Sequence, residues 1–145
     1  MKHMPQVIAM MTPFPYSIDI DATVADAQSL MRQRGFHHLP VMSSGQLSGI
    51  LSDRDIRSAL GRGGTAADAG RLRVRDIFHD DPYTVEAHVP LDVVAATMAE
   101  RQIGSALVTK DGKLVGVFTT TDACKALARA LRERFPPPAP GTSAA

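Results

Sequence analysis

Tryptophan is absent from this chain of 145 residues, and the remaining aromatics are two tyrosines and five phenylalanines. A core must therefore be built from Val, Leu, Ile, Ala and Met. Cysteine occurs once, at Cys124, so no intramolecular disulfide can form. Next to Ala123, Ala126 and Leu127 on a helical pattern, that thiol is expected to be a small buried or half-buried packing group and not a nucleophile. Charge of one sign is lacking as well: sixteen Lys and Arg against fifteen Asp and Glu leave +1. Such a balance gives no long-range attraction toward nucleic acid or an anionic membrane. No apolar run approaches membrane-spanning length, and the opening Met-Lys-His-Met-Pro-Gln-Val has no signal-peptide core, so the expected location is cytoplasmic. Arginine outnumbers lysine twelve to four, with Arg71, Arg73 and Arg75 close together. That cluster reads as a solvated linker; nucleic-acid binding through it and Arg54, Arg57 and Arg62 would call for interleaved aromatics, which it lacks.

What the chain does have is a copy of itself. Residues 7–60 lie over residues 74–127 at a constant offset of 67, without a gap, and 12 of the 54 paired positions are identical. Tyr16/Tyr83, Met31/Met98, Gly45/Gly112, Gly49/Gly116 and Asp55/Asp122 are among them. Two copies make a paired module, not a solenoid.

Each copy reads strand, helix, strand, strand, helix. Short extended segments at 16–20 and 83–87 come first. Apolar residues at Val24, Ala27, Leu30 and Met31, and at Leu91, Val94 and Met98, then give the spacing of one buried helix face. Thr23 with Asp26 has the form of a capping box, and Pro90 suits the first turn of the second copy's helix. Strands at 39–42 and 47–52, and at 106–109 and 114–119, flank turns containing Ser44-Gly45 and Asp111-Gly112, a hairpin signature. A last helix follows, over 55–60 and 122–134. Residues 61–73 carry four glycines without an apolar period and read as a linker; residues 136–145, rich in proline, read as a disordered tail.

The sharpest motif occurs twice: Gly49-Ile50-Leu51-Ser52-Asp53-Arg54-Asp55 and Gly116-Val117-Phe118-Thr119-Thr120-Thr121-Asp122. A buried strand runs into a hydroxyl residue, with a carboxylate three positions on at a helix start. Ser/Thr-x-x-Asp is by itself a helix-capping box. The same helix start favours a phosphate through its free N–H groups and dipole, and a carboxylate there can accept hydrogen bonds from ribose hydroxyls. Duplication at one offset favours the second use; a capping role alone stays open. No nucleophile–base–acid spacing stands out. His37 and His38, adjacent on an extended segment, point to opposite faces and do not suit one dedicated metal ion, whereas a Mg²⁺ carried by a bound polyphosphate is compatible.

In the order and duplication of these pieces the chain resembles the CBS-domain family, as a tandem pair or Bateman module, over residues 7–132. The resemblance rests on the Ser17-Ile18 and Thr84-Val85 segments, the helix ending Met31-Arg32-Gln33-Arg34, the Leu39-Pro40-Val41 strand and the Gly-to-Asp motifs. It implies an α+β fold: two β-α-β-β-α repeats (7–60 and 74–132, joined by 61–73) packed as a pseudo-twofold sandwich with two clefts. It further implies a non-enzymatic regulatory module for adenosine-containing ligands (AMP, ADP or ATP, with or without Mg²⁺), with no covalent cofactor. Carried over by position, Asp55 and Asp122 would hold ribose, and Ser52, Arg54, Thr119 and Thr121 would approach phosphate. His37, His38 and Leu39, and Ser105 and Ala106, would line the walls, while Ser17, Ile18, Thr84 and Val85 would reach the base. With His37, His38 and Arg54 against Gly104, Ser105 and Thr121, the Asp55 cleft is expected to be the more cationic, and the Asp122 cleft roomier and weak or empty. A homodimer and a protein partner in trans are the implied associations. A ligand-free interaction scaffold is the alternative.

Overall fold

The structure, a computed structural model, describes residues 3–13 and 16–141. Helix α1 (Val7–Met10) and the two-residue strand β1 (Thr12–Pro13) open the chain. The first half follows with β2 (Ile18–Asp19), α2 (Val24–Arg34), β3 (His38–Ser43), β4 (Gln46–Ser52) and α3 (Asp53–Leu60). After α4 (Ala66–Arg71) and α5 (Val74–Ile77), the second half repeats the order as β5 (Thr84–Glu86), α6 (Leu91–Arg101), β6 (Ser105–Lys110), β7 (Lys113–Thr119) and α7 (Thr120–Arg134). The fold is α+β, with strand, helix, strand, strand, helix in each half.

Each sheet is pinned by local chemistry. In both halves the first strand of the repeat, β2 or β5, lies parallel to the second, and the second antiparallel to the third. The hairpins turn on Ser44-Gly45 (φ 50 and 78) and Asp111-Gly112 (φ 53 and 76), the positive-φ pair that matches strand twist. Irregularities in register fall at equivalent places, Val41/Met42 and Val108/Thr109. Val24, Ala27, Met31, Leu39, Val41, Leu51 and Ile56 fill the first core; Leu91, Val94, Met98, Ala106, Val108 and Phe118 fill the second. Ile50, Leu107 and Val117, flanked by Leu47 and Leu114, form a third cluster that seals one sheet against the other.

The halves exchange their leading segments. Val7, fully buried, packs into the second core, and Val74, 67 residues on, packs into the first. Backbone bonds repeat the exchange pair by pair. Val7 and Ile8 donate to Val89 and Ala87, as Val74 and Arg75 donate to Ala22 and Ile20; Leu91 donates to Pro5, as Val24 donates to Leu72. Strand β1 thereby joins β7, giving the sheet order β1-β7-β6-β5, and His79 bridges Ile50 at the matching edge. The close approach demands glycine. A Cβ on Gly49 would fall on the His79 carbonyl oxygen, and one on Gly116 on the Met11 sulfur and, at 2.6 Å, the Thr12 carbonyl.

Two expectations are corrected. Residues 61–73 are not featureless: Thr65 and Asp68 cap helix α4, and Ala69 enters the first core. The glycines around this short helix hid its period. Arg71, Arg73 and Arg75 are exposed, as expected of a solvated stretch, while Arg73 and Arg75 also bind Asp21, through its carbonyl and its carboxylate respectively. Cys124 is exposed, because α7 turns only the face carrying Asp122, Ala123 and Ala126 inward. Of the proline-rich tail, 136–141 is irregular and exposed, and 142–145 lie outside the described residues.

Gly49→Ala is predicted to lower stability by about 1–3 kcal/mol through backbone overpacking. Gly70→Ala, helical and facing open space, is predicted to raise it by about 0.5–1 kcal/mol. Urea unfolding of the two variants checks both signs.

Candidate functional site

The seam between the halves opens into a cavity of about 470 Å³. Gly35, Phe36, His37, His38 and Pro40 line it from the first half, and Val117, Thr119, Thr120, Thr121 and Lys125 from the second. Thr12, Pro13 and Tyr16 complete the wall from the crossing segment. Gly35 ends α2 in the left-handed conformation (φ 70), which turns the chain sharply into the histidine loop. Tyr16 and Phe36 form an aromatic side, ring centroids 5.8 Å apart, and Arg34 stacks 4.6 Å from the Tyr16 ring.

The start of α7 is the polar end of the cavity. Thr119 is the N-cap: its hydroxyl accepts from the Asp122 amide, and the Asp122 carboxylate accepts from the Thr119 amide at 2.9 Å. The capping reading of Ser/Thr-x-x-Asp therefore holds here, and likewise at Ser52 and Asp55. Capping does not use up a carboxylate, which has about four lone-pair sites. Asp122 is only 8% exposed. It takes a further partner from far away in sequence, the Thr12 hydroxyl, which donates to Oδ1 at 3.0 Å and to Oδ2 at 3.2 Å. The positive end of the α7 dipole and Lys125, one turn beyond Thr121, give this end an anion-attracting character.

Across the cavity the two histidines differ. His37 is exposed and bonds Asp53 through Nδ1 at 2.9 Å. Burial pushes the Asp53 carboxyl upward, but the His37 hydrogen bond, Arg57 and the His37 charge outweigh it and leave Asp53 below the usual range. His38 is held below the ordinary imidazole value, first by burial; Asp53 and Asp55 oppose that and His37 adds to it. Its ring lies against Gly104, where an added Cβ would sit 3.4 Å from Nε2.

The expected grouping of residues between the clefts is corrected on this point. His37 and His38 share a cavity with Thr119–Thr121 and Lys125, beside Asp122, and not with Ser52, Arg54 and Asp55. The reason is geometric: the loops around His38 and Gly104 meet across the seam, and the first half's histidines face the second half's helix. A smaller groove of about 210 Å³ runs beside α3, lined by Gln28, Met31, Arg32, Phe36, His37, Asp53, Ile56 and Arg57. Ser52, Arg54 and Asp55 line neither cavity, and Asp122 adjoins the first only through its lining neighbours Thr12 and Thr119–Thr121.

Of the other candidates, Ile18 and Leu39 belong to the first core and Val85 and Ala106 to the second. Ser17 and Ser105 are half-buried and Thr84 is exposed; none of these lines the cavity. Thr12, Tyr16 and Lys125 were not foreseen. Lys125 was within reach of the sequence, four residues past Thr121 on one helix face. Thr12 was not, since its place depends on the exchange of segments. Among the described residues, no group of three or more His, Cys, Asp or Glu side chains is arranged to hold a metal ion.

The CBS domain profile matches residues 7–62 and again 74–129. The chain belongs to the CBS-domain family. As a tandem pair it is a Bateman module, a regulatory unit. A CBS domain-containing protein of Dictyostelium discoideum is 29% identical over 137 residues, spanning 88% of this chain and 94% of that protein. A crystal structure of a Vibrio cholerae protein provisionally assigned to acetoin utilization superposes with a TM-score of 0.76 at 28% identity, covering 93% of this chain and all of that one. The CBS domain of a bacterial CNNM/CorC family Mg²⁺ transporter in complex with ATP shares the fold (TM-score 0.71, 22% identity, 85% and 87% covered).

In this CBS pair His38 is predicted to titrate below 6.5, followed by its imidazole proton resonances. Because its folded value is depressed, the unfolded chain binds more protons between that value and 6.5. The His38 contribution is thus intact above 6.5 and is lost as pH falls toward the folded value. Stability measured between pH 7 and 5 is expected to slope less in His38→Gln.

Proposed function

We propose that this CBS pair is a non-enzymatic regulatory module that binds an adenosine-containing ligand of the AMP, ADP or ATP class at the Asp122 cleft. The observation carrying this reading is the convergence, in one cavity, of His37, His38, Lys125 and the start of α7 opposite an aromatic and apolar side. A flat base suits Tyr16 and Phe36, a ribose suits the Asp122 carboxylate, and phosphates suit Lys125, Thr121 and the helix dipole. The residues that form this cleft come from both halves, so a ligand that bridges them shifts their relative orientation by as much as its affinity differs between arrangements. A Mg²⁺ would enter with a polyphosphate, since it keeps most of its own waters. The cytoplasm is the compartment that supplies such ligands, and the output would pass to a protein partner in trans.

Isothermal titration of the whole chain with AMP, ADP and ATP, with and without Mg²⁺, tests the reading. One of them is expected to saturate, and Lys125→Ala to weaken ATP about tenfold while changing AMP little, the loss of one charge-assisted contact. Silence from all three, in a folded sample, would leave the scaffold reading.

We further propose a homodimer. Leu127 and Leu131 on one side of α7 and Phe135 just past its end are exposed at 58%, 48% and 68%, an apolar stripe that a second copy would cover. Sedimentation of the wild type is expected to give a dimer, and Leu131→Glu a monomer; a monomeric wild type removes the proposal.

A further inference from the structure

The Asp122 carboxylate already has a hydroxyl where a ligand's hydroxyl would go. Its Oδ2 accepts from the Thr119 amide and hydroxyl, and Thr12 donates to both oxygens. Oδ1 has no partner other than Thr12 among the described residues, so one of its two lone-pair sites is open to a ribose hydroxyl and Thr12 holds the other. A vicinal diol needs two acceptor sites on one carboxylate. With Thr12 in place, and Oδ2 filled from its own cap, it finds at most one.

The position is deliberate in structural terms. Thr12 and Asp122 are 110 residues apart, and Thr12 lines the cavity. The segment that brings it there is anchored by fully buried Val7 but holds β7 through only two register pairs, Thr12 with Val117 and Pro13 with Gly116. At the equivalent place in the other half stands His79, and Asp55 has no hydrogen-bond partner outside its own cap among the described residues. The latch belongs to one cleft.

We propose that Thr12 is a specificity-determining latch: its hydroxyl occupies Asp122 in the empty protein and must give way before a ligand's vicinal diol can pair with that carboxylate. This rests on the nucleotide reading of the cleft and deepens it. Thr12 sets how strongly the site distinguishes a ribose from a sugar without hydroxyls, because the diol's gain is offset by breaking the Thr12 bond. Its displacement also frees the β1 side chain nearest the ligand, which links occupancy to the crossing segment.

Titration of wild type, Thr12→Ser and Thr12→Val with ATP and with 2′,3′-dideoxy-ATP tests it, the two probes sharing base and phosphates. Removing one competing hydrogen bond is expected to tighten ATP about fivefold in Thr12→Val, with dideoxy-ATP unchanged and Thr12→Ser like wild type. Thr12→Ala serves in the same comparison if the valine variant does not fold. Equal shifts for both probes, or weaker ATP binding in Thr12→Val, would overturn the latch and leave nucleotide binding standing. Dideoxy-ATP binding as tightly as ATP in every variant would overturn the ribose role of Asp122 together with the latch. No binding of either probe to any folded variant overturns the nucleotide reading itself.

Discussion

The exchange of leading segments, made feasible by two glycines, is the constraint from which the rest of this CBS pair follows. At Gly49 the His79 backbone lies where a side chain would start, and at Gly116 the Met11 sulfur and Thr12 carbonyl do. Those approaches allow each half to be closed by residues that precede the other in sequence. They put Val7 into one core and Val74 into the other, and they carry Thr12 to Asp122. The cavity is therefore a product of the crossing: remove the crossing segment and Thr12, Pro13 and Tyr16 leave its wall.

Pseudo-symmetry supplies two equivalent frames, and substitutions make them unequal. Where one frame has His37 and His38, the other has Gly104 and Ser105; opposite Lys125 stands Ser58, and opposite Thr12 stands His79. The chemistry is concentrated on one side because the loops face across the seam. The histidines of the first repeat share a cavity with the lysine of the second instead of with Arg54. Burial lowers the His38 pKa and so works against the charge that an anionic guest would favour.

Much of the fold was legible in the residues. The offset of 67 gave the two units, Asp111-Gly112 and Ser44-Gly45 gave the hairpins, and Thr23, Ser52 and Thr119 gave helix starts. Each is a local signal, settled by backbone preferences a few residues wide. The helix at Ala66–Arg71 was missed although Thr65 and Asp68 repeat the same capping pattern, because flanking glycines left only Ala69 to mark a buried face. The partition of site residues was missed for a different reason. Periodicity says which side of a strand a residue is on, but not which neighbouring unit that side meets, and His37, His38 and Thr12 all depend on the neighbour. Ile18, Leu39, Val85 and Ala106 show the converse: a position next to a motif can belong wholly to packing.

The matched bonds of Val7 to Val89 and Val74 to Ala22 have a consequence for how such a molecule can come apart. Cutting the chain between the copies would not yield two smaller copies of the whole. Each fragment would keep a leading valine whose socket had left with the other, and a core short of the valine that plugs it. The repeats are two in the sequence and one in the folded state, a reciprocal plug and socket in which each half completes the other's core.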